Sequence, residues 1–398
     1  MQESFYKEII KALNNTIAMR KIIRAVTVDQ SLGFVEPLLD SLLIKYEVQL
    51  LSSPGEKIVS LSNQYNIKRH CINIERHISL INDVKSLFRI IKVFRKEKPY
   101  MVHSMTPKAG MLCMLAAWIT RVPLRVHTFT GLVWPTSTGL KRRILMATDW
   151  LTCACATHII PEGRGVMNDL QSHITKKPMK VLGYGNVRGV DMEKFSRRQE
   201  VEEMAKGIKK EEIFTFIFVG RIVGDKGVNE LVSAFAELHK KYEKTRLLLI
   251  GNFEQHLDPL QAKTLNVIDK HTSIESLGPK YEDELLAYYA ASDCFVFPSY
   301  REGFPNTVME AGAMGLPSIV TDINGSREII IDGKNGVIIP SKDVEALYHA
   351  MEEMITNSDK TKEYADNARE MIASRFERGF VCKCLYDFYE EICGINHT

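Results

Sequence analysis

The 398-residue chain lacks an apolar run long enough to cross a bilayer, which takes about 20 residues. Its best apolar run is residues 111–119, closed by Thr120 and Arg121; the stretch 144–161 is longer but contains Asp149 and His158. The opening residues, MQESFYKEIIKALNN, have no uninterrupted apolar core of the kind a secretory signal carries. A cytoplasmic location is therefore expected. Cysteine is sparse: eight residues, at 71, 113, 153, 155, 294, 382, 384 and 393, all singles or C-x-C pairs. None has the C-x-x-C spacing of a zinc site, and a chain of this size needs no disulfide framework, so the thiols are expected to be inert. The 24 glycines and 14 prolines follow no period, which excludes collagen-like or low-complexity architecture. No internal repeat of about 20–50 residues occurs. No long stretch joins low hydrophobicity to high net charge, which argues against disorder. Also missing are G-x-G-x-x-G and G-x-x-x-x-G-K-[ST], so neither a dinucleotide fingerprint nor a P-loop is licensed.

What is present is ordinary for a soluble protein: 45% hydrophobic and 25% charged residues. The length suggests two domains. The net charge of +3 conceals an asymmetry, because residues 1–199 hold 30 Lys and Arg against 15 Asp and Glu, and residues 200–398 hold 22 against 34. Either the two halves attract each other, or the basic half meets something anionic: nucleic acid, a phosphorylated substrate or a membrane surface.

Apolar β-rich runs alternate with amphipathic stretches twice over. Strands are expected at 22–28, 47–53, 70–74, 101–105, 124–129, 158–161 and 180–183. A second series falls at 214–220, 246–251, 273–277, 294–298, 318–321 and 336–339. Helical patterns lie between them, at 82–98 and 107–119, then at 228–241, 281–291, 306–314 and 343–357. Strands apolar throughout, separated by helices, indicate parallel sheets covered on both faces. The fold class is thus α/β, with two doubly wound domains that bind at the carboxyl ends of their strands. The charged, strand-free segment 195–210 marks the boundary. This puts residues 1–197 with 376–398 in one domain and 198–375 in the other. A last helical pattern, 374–393, is expected to pack back onto the first domain, and residues 1–18 to be a dispensable extension.

Two loops carry the strongest chemistry. In FIFVGRIVGDKG (216–227) a buried strand ends at Gly220 and a glycine-containing turn enters a helix, so backbone N–H groups and the helix dipole suit a phosphate. Arg221 and Lys226 add two positive charges there. In the segment 294–320 the loop SYREGFPN carries Glu302, and Glu310 lies one turn into the helix that follows, so both carboxylates can face one cleft. A carboxylate accepts two vicinal hydroxyls, as on ribose or a hexose. The first half offers less. Gly33 lies in the loop after its first strand, His103 and Lys108 at a helix start, His127 at a strand's carboxyl end, and GYGNVRGVD (183–191) at the domain exit.

Taken together, G-R-x4-K-G at 220–227, E-G-F-P-x4-E at 302–310 and N-V-R-G-V-D-x3-F at 186–195 resemble the retaining GT-B glycosyltransferases of family GT4. The second is that family's E-x7-E motif. The third departs from the usual N-G-V-D by Arg188. The likeness spans about residues 20–393 and is nearest to bacterial enzymes that extend lipid-diphosphate-linked sugars for capsule, O-antigen or glycoprotein glycans, such as the N-acetylgalactosaminyltransferases. It implies two Rossmann-like domains facing across a cleft, with a C-terminal helix returning to the first.

The same resemblance implies roles. Arg221 and Lys226 would bind the donor diphosphate, and Glu310 the ribose hydroxyls. Glu302 and the amides of Gly303, Phe304 and Pro305 would hold the donor sugar. Asn306 and Thr307 would lie at the helix N-terminus near the phosphate. Gly33 would sit under the diphosphate, and His127 would contact the sugar near its reacting carbon. No D-x-D motif stands beside a strand end, so no metal and no other cofactor is implied. The expected partners are a nucleotide-sugar donor, with uridine the expected base, a lipid-diphosphate-linked saccharide and an anionic membrane surface, with no nucleic acid. The helix at 86–98 and the cluster Lys141–Arg142–Arg143 would meet the headgroups. The rival expectations are a GT-B nucleotide-sugar epimerase and a catalytically silent GT-B subunit.

Overall fold

The computed structural model describes residues 19–75, 79–254 and 258–394. The extension expected at 1–18 lies outside them. The chain divides into two units, the first ending at Arg188 and resuming at Gly379, the second running from Gly189 to Arg378.

The first unit is built on β1 (Arg20–Ala25), β2 (Tyr46–Ser52), β3 (Lys68–Cys71), β4 (Met101–Met105), β5 (Leu124–Phe129) and β6 (His158–Pro161). All neighbours pair in parallel, in the order β3-β2-β1-β4-β5-β6. Every residue of β4 is buried, as a strand covered on both faces requires. On one face pack the helices Leu80–Glu97, Pro107–Ile119 and Gly139–Cys155, around Ile90, Phe94, Leu112, Met114 and Cys153. The other face holds Leu32, Leu38 and Ile58 together with Phe388 and Tyr389 of the last helix, Arg378–Cys393. That helix is pinned by a buried polar network. The Tyr389 hydroxyl accepts from Arg24 Nη1 at 2.9 Å and bonds His103 Nδ1, while His103 Nε2 meets Thr128 Oγ1 at 2.7 Å. Burial, reinforced by the Arg24 charge, holds His103 well below the ordinary histidine range, so it is neutral here.

The second unit repeats the plan with β7 (Phe214–Val219), β8 (Thr245–Ile250), β9 (Ile274–Gly278), β10 (Cys294–Phe297), β11 (Ser318–Thr321) and β12 (Gly336–Ile339). Its parallel order is β12-β11-β10-β7-β8-β9. Strand order reverses between β7 and β10, and a doubly wound sheet opens a crevice at such a point.

Three expectations are corrected. Residues 180–183 are not a strand: Lys180 N reaches Ile159 O at 3.1 Å, but the chain then turns, with Gly185 N on Leu182 O at 2.9 Å. The stretch 374–393 is not one helix, because Ser358–Phe376 and Arg378–Cys393 are separated at Glu377, which bridges Val190. The units also part at 188 and 378 rather than at 197 and 375. Arg369 binds the carbonyls of Met192 and Phe195 at 2.7 and 2.6 Å, and Arg197 those of Met314 and Ala290 at 3.1 Å each. The segment expected to link the domains is therefore part of the second, and its helix Gln199–Ile208 packs beside Glu282–Ala290.

One buried acid makes stability depend on pH. Burial raises the Asp149 carboxyl from near 3.8 to about 7. Between those values the folded chain keeps a proton that the unfolded chain has lost, so stability falls as pH rises through the window. Each pH unit is worth about 1.4 kcal/mol, so the loss approaches roughly 4 kcal/mol by neutrality. Asp149→Asn is expected to raise the denaturation midpoint at pH 8 and to leave it nearly unchanged at pH 4.5. Equal effects at both pH values would contradict a protonated Asp149.

Candidate functional site

The β7–β10 switch point is lined by the two loops that the sequence singled out. After β7 the chain makes a one-turn 3-10 segment, Gly224–Lys226, and enters the helix Val228–Lys241. After β10 it runs through Pro298–Pro305 into the helix Asn306–Ala313. The two loops touch through backbone. Gly227 has φ +71°, and a Cβ there would overlap the Pro298 carbonyl oxygen. Gly325, beyond β11, has φ +76° and lies against the Gly303 carbonyl and the backbone of Phe304. Two helix N-termini, each with a positive dipole end, therefore open at the crevice.

Lys226 and Glu302 meet there as an ion pair, with side chains only 13% and 16% exposed. Ser299 Oγ donates to the same Glu302 oxygen at 2.8 Å. The Lys226 ammonium lies 5.6 Å from the Phe297 ring centroid, and Phe297 stacks between Phe218 and Phe295. Asp225 ties the loops further: its carboxylate takes Arg301 Nη2 at 3.2 Å, its carbonyl takes Tyr300 N at 2.9 Å, and its own N–H donates to Asp258 at 2.5 Å. The Tyr300 hydroxyl donates to Glu230 at 2.7 Å. Glu310 lies in the second turn of its helix and is buried. The Tyr289 phenol is raised well above its ordinary range, first by burial and then by the charge of Glu310.

Not every expected residue joins this cluster. Arg221 is 43% exposed and its guanidinium turns to Glu254 at 3.3 Å. Phe304 is a core residue, edge-on to Phe376 at 5.3 Å, so its side chain is turned into the core. Pro305 has no amide hydrogen and cannot be a donor, which corrects its assignment. Backbone N–H groups of Gly303 and Phe304 belong to this loop, and Asn306 and Thr307 open the helix that follows.

In the first unit, Gly33 lies in the 3-10 segment Asp29–Phe34, beside Lys57. Lys57 pairs with Glu36 at 2.7 Å. The neighbouring open hollow, about 600 Å³, is lined by Asp29, Glu36 and Glu56 as well as Lys57. Three carboxylates to one cation suit hydroxyl groups rather than a phosphate. His127 is buried, bonded through Nδ1 to Ser104 Oγ at 2.8 Å and edge-on to Phe129 at 4.5 Å. Burial pushes its imidazole down to about 3, so it is neutral near pH 7. Lys108 pairs with Asp83 at 2.8 Å.

Sequence reasoning missed Ser299, Asp225, Asp258, Phe297 and Gly325. Asp225 stands beside Lys226 in the 216–227 loop, and Ser299 and Phe297 flank the end of a strand beside the Glu302 loop, so these three carried a local signal and the other two did not.

Residues 199–371 match the family model described as glycosyl transferases group 1, and residues 10–160 match that of glycosyl transferase 4-like proteins. The chain is 30% identical over 374 residues to the capsular polysaccharide biosynthesis glycosyltransferase CapM of Staphylococcus aureus, covering 93% of this chain and 97% of that protein. It is 29% identical over 313 residues to the Escherichia coli UDP-Gal:alpha-D-GlcNAc-diphosphoundecaprenol alpha-1,3-galactosyltransferase, covering 76% and 78%. Among solved structures, Anabaena Alr3699/HepE in complex with UDP and glucose superposes with a TM-score of 0.77 at 15% identity, over 94% of this chain and 100% of that one. A UDP-N-acetylglucosamine 2-epimerase superposes with a TM-score of 0.65 at 14% identity, over 95% and 98%. At such identities these structures speak to the fold alone, and the fold is GT-B.

Proposed function

Since the chain belongs to the group 1, GT4-like glycosyltransferases, we propose that it moves a hexose or N-acetylhexosamine from a UDP-sugar to a lipid-diphosphate-linked saccharide, with retention, in bacterial surface-polysaccharide synthesis. The observation that carries this reading is the Lys226–Glu302 pair set between two helix N-termini at the β7–β10 switch point. The ammonium and the N–H groups suit a diphosphate, and the carboxylate beside them suits the hydroxyls of the sugar attached to it. The two relatives, one a capsular polysaccharide glycosyltransferase and one acting on a diphosphoundecaprenol-linked sugar, favour this acceptor class.

In this mechanism the bond from the sugar's anomeric carbon to the phosphate oxygen breaks and its electron pair stays on the leaving diphosphate. Lys226 and the N–H groups of Gly303, Phe304 and the Asn306 helix start meet that growing charge. An acceptor hydroxyl attacks the same face of the sugar and passes its proton to the departing phosphate oxygen. Glu302 holds the sugar and Glu310 the ribose. Lys226 and backbone amides do here what a metal does in other transferases. Arg221 would have to leave Glu254 to join them.

Mass spectrometry of products from a panel of UDP- and GDP-sugars with undecaprenyl-diphosphate-linked saccharides tests the proposal, and the anomeric coupling of the product tests retention. A UDP-sugar should extend the lipid-linked acceptor by one residue. Conversion of a UDP-sugar to its epimer without transfer would replace this reading by the epimerase.

A further inference from the structure

The face of the first sheet that the last helix covers holds a positive charge far from solvent. Arg24 of β1, His103 of β4 and Thr128 of β5 stand side by side on adjacent strands. All three are buried, Arg24 completely. With Met105, Asn186 and Leu385 they line a small enclosed hollow between the sheet and the helix Arg378–Cys393. Its volume of about 10 Å³ leaves room for a single water-sized occupant.

Arg24 bonds no carboxylate among the described residues. Its Nη1 donates to the Tyr389 hydroxyl at 2.9 Å, its Nη2 lies 3.2 Å from Met105 Sδ, a weak acceptor, and its Nε has no partner. Burial pushes the Tyr389 phenol up to about 12, so it supplies no counter-charge near pH 7. A buried charge is expensive unless it is paired. Hydrogens also outnumber acceptors. Arg24 Nη1, the Tyr389 hydroxyl, the neutral His103 ring and the Thr128 hydroxyl each bring one hydrogen to the three bonds that join them. Whichever His103 nitrogen is protonated, one hydroxyl hydrogen is left over, beside the unpartnered N–H of Arg24.

We propose that this hollow binds one monovalent anion of chloride size, held by the Arg24 guanidinium and the Thr128 hydroxyl. An anion supplies the missing charge and brings no hydrogens, whereas a water would add two to a network that already has one too many. Thr128 lines the hollow and Tyr389 does not. The anion therefore selects one order of bonds: Tyr389 donates to His103 Nδ1, His103 Nε2 donates to Thr128, and Thr128 donates into the hollow. It completes the network that pins the last helix, and its binding adds to the stability of the first unit. The site is separate from the sugar-transfer reading, which survives its failure.

Thermal unfolding of the full chain at constant ionic strength, with sodium chloride exchanged for sodium gluconate, tests the proposal, because gluconate is too large for the hollow. The midpoint should rise with chloride concentration, since a ligand that binds only the folded state stabilises it. Thr128→Val removes one hydrogen bond to the anion and should raise the half-saturating chloride concentration about tenfold or more. Arg24→Met should abolish the chloride response; if that variant does not fold, Thr128→Val decides alone. Crystals grown in chloride and measured at long wavelength should show the anomalous signal of chlorine in contact with Arg24. Equal midpoints in chloride and gluconate overturn the proposal. So does a chloride response unchanged by Thr128→Val, which would place the anion on the surface, or density in the hollow that is water alone.

Discussion

Lys226→Ala is expected to slow sugar transfer by about 100-fold or more while leaving the chain folded. Removing one preorganised donor from a site where charge develops costs about 10²–10³ in rate. Lys226 is placed to meet that condition. It is 13% exposed, is held over Phe297, and stands between two helix starts. Its present partner, Glu302, keeps a hydrogen bond from Ser299 and some solvent contact, so the fold should survive the loss. Arg221→Ala should cost less, because its guanidinium is more exposed and is bound to Glu254. Steady-state turnover with a lipid-linked acceptor, beside circular dichroism of each variant, measures both. Near-wild-type turnover by the Lys226→Ala, Arg221→Ala double variant would remove the diphosphate from this loop.

The fold was legible where burial on both faces writes continuous apolar runs into the sequence, as in FTFIFV of β7 and TRLLLI of β8. It was less legible where burial is narrow. The helix Ser358–Phe376 buries only Tyr364, Ala368, Ile372 and Phe376, one residue in four along a polar segment, and went unnoticed. The helix Gly139–Cys155 was obscured for the opposite reason. Leu140, Ile144 and Trp150 face outward, so its apolar residues do not mark a single side.

At the site, Glu302 and Glu310 were legible because both belong to one strand-loop-helix unit. The Lys226–Glu302 pair was not, since 76 residues separate its members and only the adjacency of β7 and β10 unites them. Asp258 and Gly325 come from further loops with no local mark. Arg221 and His127 show the limit of motif transfer. A motif fixes residue type at a strand end, but the side chain's partner depends on what the rest of the fold places nearby. Glu254 holds the first, and Ser104 with Phe129 encloses the second.

The two carboxylates of the motif are expected to fail in opposite ways. Glu310 contacts the ribose in the proposed complex, and the ribose does not change during reaction. Its loss is therefore uniform binding loss, which raises KM and spares kcat. One hydrogen bond to a charged group is worth about 1.5–3 kcal/mol, so Glu310→Gln should weaken donor binding roughly 10- to 100-fold. Glu302 is also the ion-pair partner of Lys226. A phosphate arriving at the site must compete with that carboxylate for the ammonium. Glu302→Gln removes the competitor, so affinity for free UDP should be unchanged or higher, while kcat falls on the order of 100-fold because the reacting sugar loses its charged holder. Calorimetry with UDP and steady-state kinetics with the UDP-sugar separate the two outcomes. UDP bound equally by wild type and Glu310→Gln would detach Glu310 from the ribose. UDP bound much more weakly by Glu302→Gln would mean that Glu302 supports the nucleotide itself, and the assignment of the sugar to this carboxylate would fall.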